Sequence, residues 1–197
     1  MQYSRSAERG EQGAAVALRR GALLAAFALL GGCGLLAEQQ PGSLGVRQAQ
    51  RVVVGAGARL ELALDCRLSG PMQDALDHGI PIVLEVDVRA GRWPRTLASA
   101  RPRIELRYFP LSRRYQLRAV GSDDVRAFAT QAYLVAALGS LRLGLPATFA
   151  TLPPDTPLHV SVAIDPAALP GALRLPALFE PAWRLASAET TWPAAER

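Results

Sequence analysis

The sequence predicts an all-β fold with two short helices: an antiparallel β-sandwich, of which an immunoglobulin-like arrangement is one form, with a β-barrel as the alternative. Three observations carry this. Apolar residues recur at every second position in segment after segment, the mark of strands with one face on a core and one in water. Turn-forming residues separate these segments at short spacing. Only two segments combine helical spacing with a capping residue before and a glycine after.

In chain order, Arg51-Val52-Val53-Val54 reads as the first strand. Leu60, Leu62, Leu64, Cys66 and Leu68 then alternate with polar or small residues. Ser69-Gly70-Pro71 opens a helix, because a serine hydroxyl accepts from free helix N–H groups and proline suits the first turn. Met72–Asp77 forms it and Gly79 ends it. Ile82, Leu84, Val86 and Val88 alternate next. Ile104, Leu106 and Tyr108 face Tyr115, Leu117 and Ala119 across Phe109-Pro110-Leu111-Ser112, so residues 103–119 should form a hairpin. Thr130–Leu138 is the second helix, stopped by Gly139, with Leu134, Leu138 and Leu141 on one face. Leu158, Val160, Val162 and Ile164 make a further strand, and Trp183–Trp192 the last. Residues 146–181 hold eight of the fifteen prolines and are expected to be mainly turns and edges.

The N-terminus reads as an address. Arg19 and Arg20 precede Gly21–Leu30, ten uncharged residues. A secretory h-region needs about 7–15 apolar residues and a membrane span roughly 20. The uncharged run extends to Ala37, which keeps a short single-pass anchor as an alternative. Leu30-Gly31-Gly32-Cys33 resembles a bacterial lipobox. Small residues let a protease hold the chain extended, and the Cys33 thiol would receive a diacylglyceryl group. Two or three acyl chains hold a protein on a membrane, whereas one does so marginally. Gly34 rather than Asp follows, which in bacterial lipoproteins implies release to the outer membrane. Retention at the inner membrane and a soluble periplasmic protein are the alternatives. The expected organisation is a leader over 1–32, a lipid-anchored tether over 33–46 and one domain over 47–197. With Cys33 acylated, Cys66 has no intramolecular partner, and its alternating position marks it as a buried structural thiol.

Composition narrows the function. The net charge is +5, yet every basic residue is arginine; lysine and asparagine are absent. Such bias is better explained by codon usage than by a polyanion partner. Export argues further against nucleic acid. Two histidines and two cysteines are too few for a zinc-type cluster, and no cofactor or metal is expected. No Gly-x-Ser-x-Gly elbow occurs. Gly55-x-Gly57 lacks the third glycine and the following helix of a dinucleotide loop. Asp123-Asp124 sits in a turn that local backbone bonding explains. His78 is placed to complement helix-terminal carbonyls, and His159 lies on a polar strand face.

One feature is concentrated. Arg103, Arg107, Arg114 and Arg118 share the outer face of the hairpin, flanked by Arg101 and Arg113. Guanidinium groups bind phosphate and carboxylate bidentately, so the four form a candidate anion-binding patch for anionic lipid or an acidic envelope protein. A solvated sheet face is the plainer explanation of such a charge run. No catalytic residue is identified. The expectation is a non-enzymatic binding or scaffolding lipoprotein of the envelope, joined to the membrane through its N-terminus; an envelope enzyme is the alternative.

Several segments together resemble a known family. They are Ala75-Leu76-Asp77-His78-Gly79-Ile80-Pro81, the hairpin Leu106–Tyr115, Leu169-Pro170 with Leu173-Arg174-Leu175-Pro176, and Trp183-Arg184-Leu185-Ala186-Ser187. Over roughly residues 47–192 the chain is similar to the proteobacterial domain-of-unknown-function family DUF4390, most specifically in the hairpin. The resemblance implies a Gram-negative envelope protein with a leader. It brings no catalytic residues, and it does not account for the lipobox.

Overall fold

The computed structural model describes residues 41–92 and 94–193. The leader and Cys33 lie outside these residues. Two antiparallel sheets stack in a sandwich-like arrangement, with no closed barrel. The smaller runs β1 (Ser43–Val54), β2 (Gly57–Arg67), β8 (Leu141–Leu145). The larger runs β10 (Thr190–Trp192), β9 (Leu158–Ile164), β3 (Ile82–Ala90), β5 (Arg103–Phe109), β6 (Arg114–Ala119), β7 (Val125–Phe128). The short β4 (Ala98–Ala100) pairs with the far end of β3.

The alternating residues build one core. Leu60, Leu62 and Leu64 of β2 and Leu141, Leu143 and Leu145 of β8 meet Ile82, Leu84, Val86 and Val88 of β3. Ile104, Leu106, Leu117 and the apolar row of β9 complete it. Each fully buried leucine or valine contributes about 1.5–3 kcal/mol relative to exposure, so the shared apolar faces hold the sheets together.

Among the described residues three short helices accompany the sheets: α1 (Gly70–Asp77), α2 (Gln131–Ala137) and α3 (Gly171–Phe179). Ser69 caps α1 as expected. Its Oγ accepts from the Met72 amide at 3.4 Å and donates to the Ala182 carbonyl at 2.6 Å, tying the helix to a 3-10 turn at Pro181–Trp183. Gly79 ends the helix in the left-handed region, at φ +81°. Thr130 caps α2, whose Leu134 is fully buried.

Four expectations need correction. β1 begins at Ser43, so residues 43–46 are strand and not tether; pairing with β2 begins at Ser43 opposite Arg67. Leu141 leaves the helical face, because β8 pairs with β2 over Leu141–Leu145. Gly171–Phe179 is helical despite Pro176. The last strand shrinks to Thr190–Trp192, because Pro181–Trp183 turns and Ala186 makes only one bridge, to Ala163.

The registers gather particular segments at one end of the sandwich. Ile82 lies opposite Leu106, Leu84 opposite Ile164, and Phe109 opposite Arg114. The β5–β6 turn, the start of β3 and the end of β9 therefore share that end, and α3 follows β9. The chain joins the domain there too. A Cβ on Gly42 would stand 3.0 Å from both the Arg67 carbonyl oxygen and Leu185, and 3.2 Å from the Ser69 amide. The β1–β2 turn lies at the opposite end of β1.

Candidate functional site

The hairpin forms in the expected register. Glu105 pairs with Arg118, Arg107 with Gln116, Tyr108 with Tyr115 and Phe109 with Arg114. Ile104, Leu106 and Leu117 are buried on the inner face. The Tyr108 and Tyr115 rings pack with centroids 4.6 Å apart. Tyr115 also donates from its hydroxyl to Asp77 Oδ1 of α1 at 2.7 Å. Desolvation, then the Asp77 carboxylate and Tyr108, push the Tyr115 hydroxyl up to about 12.

Arg103, Arg107, Arg114 and Arg118 all stand exposed on the outer face, but their surroundings divide them. Arg118 is in an ion pair with Glu105 directly across the hairpin. Arg103 reaches Asp165 at 3.8 Å. Among the described residues, Arg107 and Arg114 pair with no carboxylate. The Arg107 guanidinium lies 5.0 Å over the Phe109 ring, and Arg114 stands opposite Phe109. Arg107 and Arg114 are thus diagonal neighbours, at a separation long side chains span. Beside Arg107 is a hollow of about 110 Å³, lined by Glu105, Arg107, Phe109, Gln116, Arg118 and Val125. The aromatic shelf holds one guanidinium in place, which lowers the entropy lost when it binds an anion.

The remainder of this face is internally compensated. Arg101 reaches Asp87 at 3.1 Å and Glu85 at 4.0 Å, and Arg89 pairs with Asp87 and Glu189. His159 donates from Nε2 to the Gly91 carbonyl at 3.0 Å, which leaves Nδ1 to accept from the Thr191 hydroxyl at 3.0 Å. His78 donates from Nδ1 to the Asp74 carbonyl at 2.6 Å, at the end of α1. Arg113, at the hairpin turn, takes a left-handed conformation with φ 51°.

A second concavity, about 420 Å³, lies where β8 begins. Glu61, Asp124, Arg126, Ser140 and Arg142 contribute to it. Glu61 is paired with Arg59 at 3.2 Å, and Arg126 donates to the Ser140 carbonyl at 3.0 Å. Asp124 belongs to a local turn, its amide bonded to the Ser122 hydroxyl at 3.1 Å. Among the described residues, no three His, Cys, Asp or Glu side chains are grouped to hold a metal ion. No helix among them is long and apolar enough to cross a membrane.

Cys66 is half-buried against the core edge rather than fully enclosed. Desolvation, then the neighbouring Asp65 carboxylate, push its thiol up to about 11. The sequence reading missed Phe109 as the shelf for Arg107 and Asp165 as the partner of Arg103; it read Glu105 as diluting the charge of the face but not as the partner of Arg118. Alternation places Glu105 on the right face, but only the hairpin register brings it opposite Arg118.

The fold and its outer face define the class: a sandwich-like antiparallel β domain with a largely ion-paired sheet surface and one uncompensated arginine pair at a hairpin. Residues 42–193 match the model of the family described as "Domain of unknown function (DUF4390)", and the chain belongs to that family. No curated protein and no solved structure matches it.

Proposed function

We propose that this chain is an exported, lipid-anchored envelope protein whose β domain is a non-enzymatic binding or scaffolding module. Its recognition surface is the Arg107–Phe109–Arg114 face, and what it recognises is an anionic group of the envelope. The observation that carries this reading is the division among the four hairpin arginines. Two have carboxylate partners. Two lack one on a face where most charges are matched, and one of those is braced on an aromatic ring. Anchoring at Cys33 is supported by the leader and the Leu-Gly-Gly-Cys pattern.

The Cys33→Ala full chain removes any contribution from acyl chains. It should bind vesicles rich in phosphatidylglycerol more tightly than neutral phosphatidylcholine vesicles, and added salt should weaken that preference. Arg107→Gln with Arg114→Gln should remove much of the preference. The double variant should also keep its unfolding free energy within about 0.5 kcal/mol per site, as for other surface changes. A stable double variant that discriminates like its parent, for vesicles and for acidic envelope proteins captured by crosslinking at Gln116, overturns the assignment. A variant that unfolds readily shows the two arginines to be structural.

The 420 Å³ cleft favours a second reading, an envelope enzyme, because it gathers Glu61, Asp124, Arg126 and Arg142 in one concavity. The observed contacts spend Glu61 on Arg59 and Arg126 on a carbonyl, which weighs towards the binding module.

A further inference from the structure

We propose that the end of the sandwich carrying Gly42, the β5–β6 turn and α3 rests on the lipid bilayer, with Leu111 and the apolar side of α3 as its points of contact. The inference rests on the Cys33 anchor for its direction of approach.

Four large apolar side chains stand in water at this end. Leu111, at the tip of the hairpin turn, is fully exposed, while Leu175, Leu178 and Phe179 are 66%, 54% and 72% exposed. The last three are spaced i, i+3 and i+4, so they share one side of α3. Ala177 turns to the core and is buried. The helix therefore meets its own domain through Ala177 and half-buried Leu173 and presents Leu175, Leu178 and Phe179 outwards. Single exposed leucines need no explanation, but grouped ones mark an interaction surface.

Three features select a bilayer as the occupant. The first is where the chain joins the domain. Gly42 lies so near Leu185 and Ser69 that an added Cβ would crowd both, and Ser69 bonds Ala182, three residues past the end of α3. Only nine Cα steps separate Cys33 from Gly42, at most about 30 Å of extended chain. An acylated Cys33 therefore keeps this end near the headgroups. The second is charge. Exposed Arg113 and Arg114 follow Leu111 in the turn, exposed Arg184 lies just past α3, and Arg174 within α3 is exposed although its Nε donates to the Leu169 carbonyl at 2.9 Å, with Glu180 between the last two. Apolar groups rimmed by arginine suit an anionic interface. The third is the contrast with the far end. Val53 and Val54 are also about half exposed. Yet they lie eleven or more strand residues beyond Gly42, roughly 36 Å at 3.3 Å per residue. Arg51 beside them donates to the carbonyls of Phe149, Leu152 and Pro153. Exposed apolar residues and exposed arginines occur at both ends, Leu97, Arg92 and Arg95 standing at the far one; the anchor occurs at one.

Depth-dependent quenching tests this. Full-length chains carrying Phe179→Trp, Leu111→Trp or Val53→Trp are made in the acylated form and placed on phosphatidylglycerol vesicles with bromines high on the acyl chains. Emission is read as the difference from the parent, which has tryptophans of its own. An interfacial helix buries its apolar face by roughly 5–10 Å, so positions 179 and 111 should shift to the blue and lose emission. Position 53 should do neither. Unquenched signals at 179 and 111 from a chain that floats with the vesicles overturn the proposal and leave the anchor standing. If position 179 is instead shielded in a concentration-dependent dimer without quenching, a second copy covers the face, and the proposal is equally wrong. If the chain takes up no acyl label and does not float, the anchor reading fails. A Cys33→Ala chain with six histidines inserted after position 33, held on nickel-chelating lipid, then decides: quenching at 179 and 111 upholds the bilayer face, and its absence ends it.

Discussion

Cys66 continues the β2 row of Leu60, Leu62 and Leu64 and, unlike Leu68 beyond it, is only half covered. Partial burial and the adjacent Asp65 still raise its pKa from 9.0 to about 11. The thiolate is the nucleophile. In the Cys33→Ala chain, where Cys66 is the sole cysteine, labelling at pH 8 should run about two orders of magnitude slower than for free cysteine. It should accelerate towards pH 11. The linked stability has a definite sign. Between pH 9 and 11 the unfolded chain has lost the thiol proton that the folded chain keeps, so this group's contribution falls as pH rises through that window. Rapid labelling at pH 8 without denaturant would show the thiol to be solvated and would reopen a redox role.

At the scale of elements, what is written locally in the sequence is recovered well. Ser69 and Gly79 bound α1, Thr130 caps α2, and the hairpin keeps the register that alternation and its turn imply. What escapes depends on distant partners. Leu141 fits both a helical face with Leu134 and Leu138 and a strand with Leu143 and Leu145; pairing with β2 decides for the strand. α3 hides behind Pro170 and Pro176, because proline density reads as turn, whereas docking of Ala177 and Trp183 holds the helix together. Arg51 is the clearest long-range case. It lies on β1, yet it donates to the carbonyls of Phe149, Leu152 and Pro153 at 2.6, 3.0 and 2.6 Å, pinning the loop that leads to β9. Hydrogen bonds from a charged donor contribute roughly 1.5–3 kcal/mol when well enclosed, and these are partly exposed. Arg51→Gln should therefore cost about 2 kcal/mol in urea unfolding. A loss below about 0.5 kcal/mol, the range of ordinary surface changes, would mean the loop holds itself in place.

For the molecule as a whole, the two-sheet class follows from alternation alone, while the candidate site was only half legible. The four arginines were visible as a face, and the face exists. Their inequality was not, because Asp165 comes just after β9, about sixty residues on, and no local pattern links it to Arg103. The same holds for the shared end of the sandwich, which Gly42, Leu111 and α3 reach from three distant parts of the chain. Both proposals take the chain to be an envelope protein anchored at Cys33. The most direct measurement is metabolic labelling with palmitate in the native host, comparing the parent chain with Cys33→Ala and fractionating the envelope. The account expects label on the parent, none on Cys33→Ala, and a shift of the variant to the soluble or uncleaved fraction. A parent without label that fractionates and migrates like Cys33→Ala would contradict it.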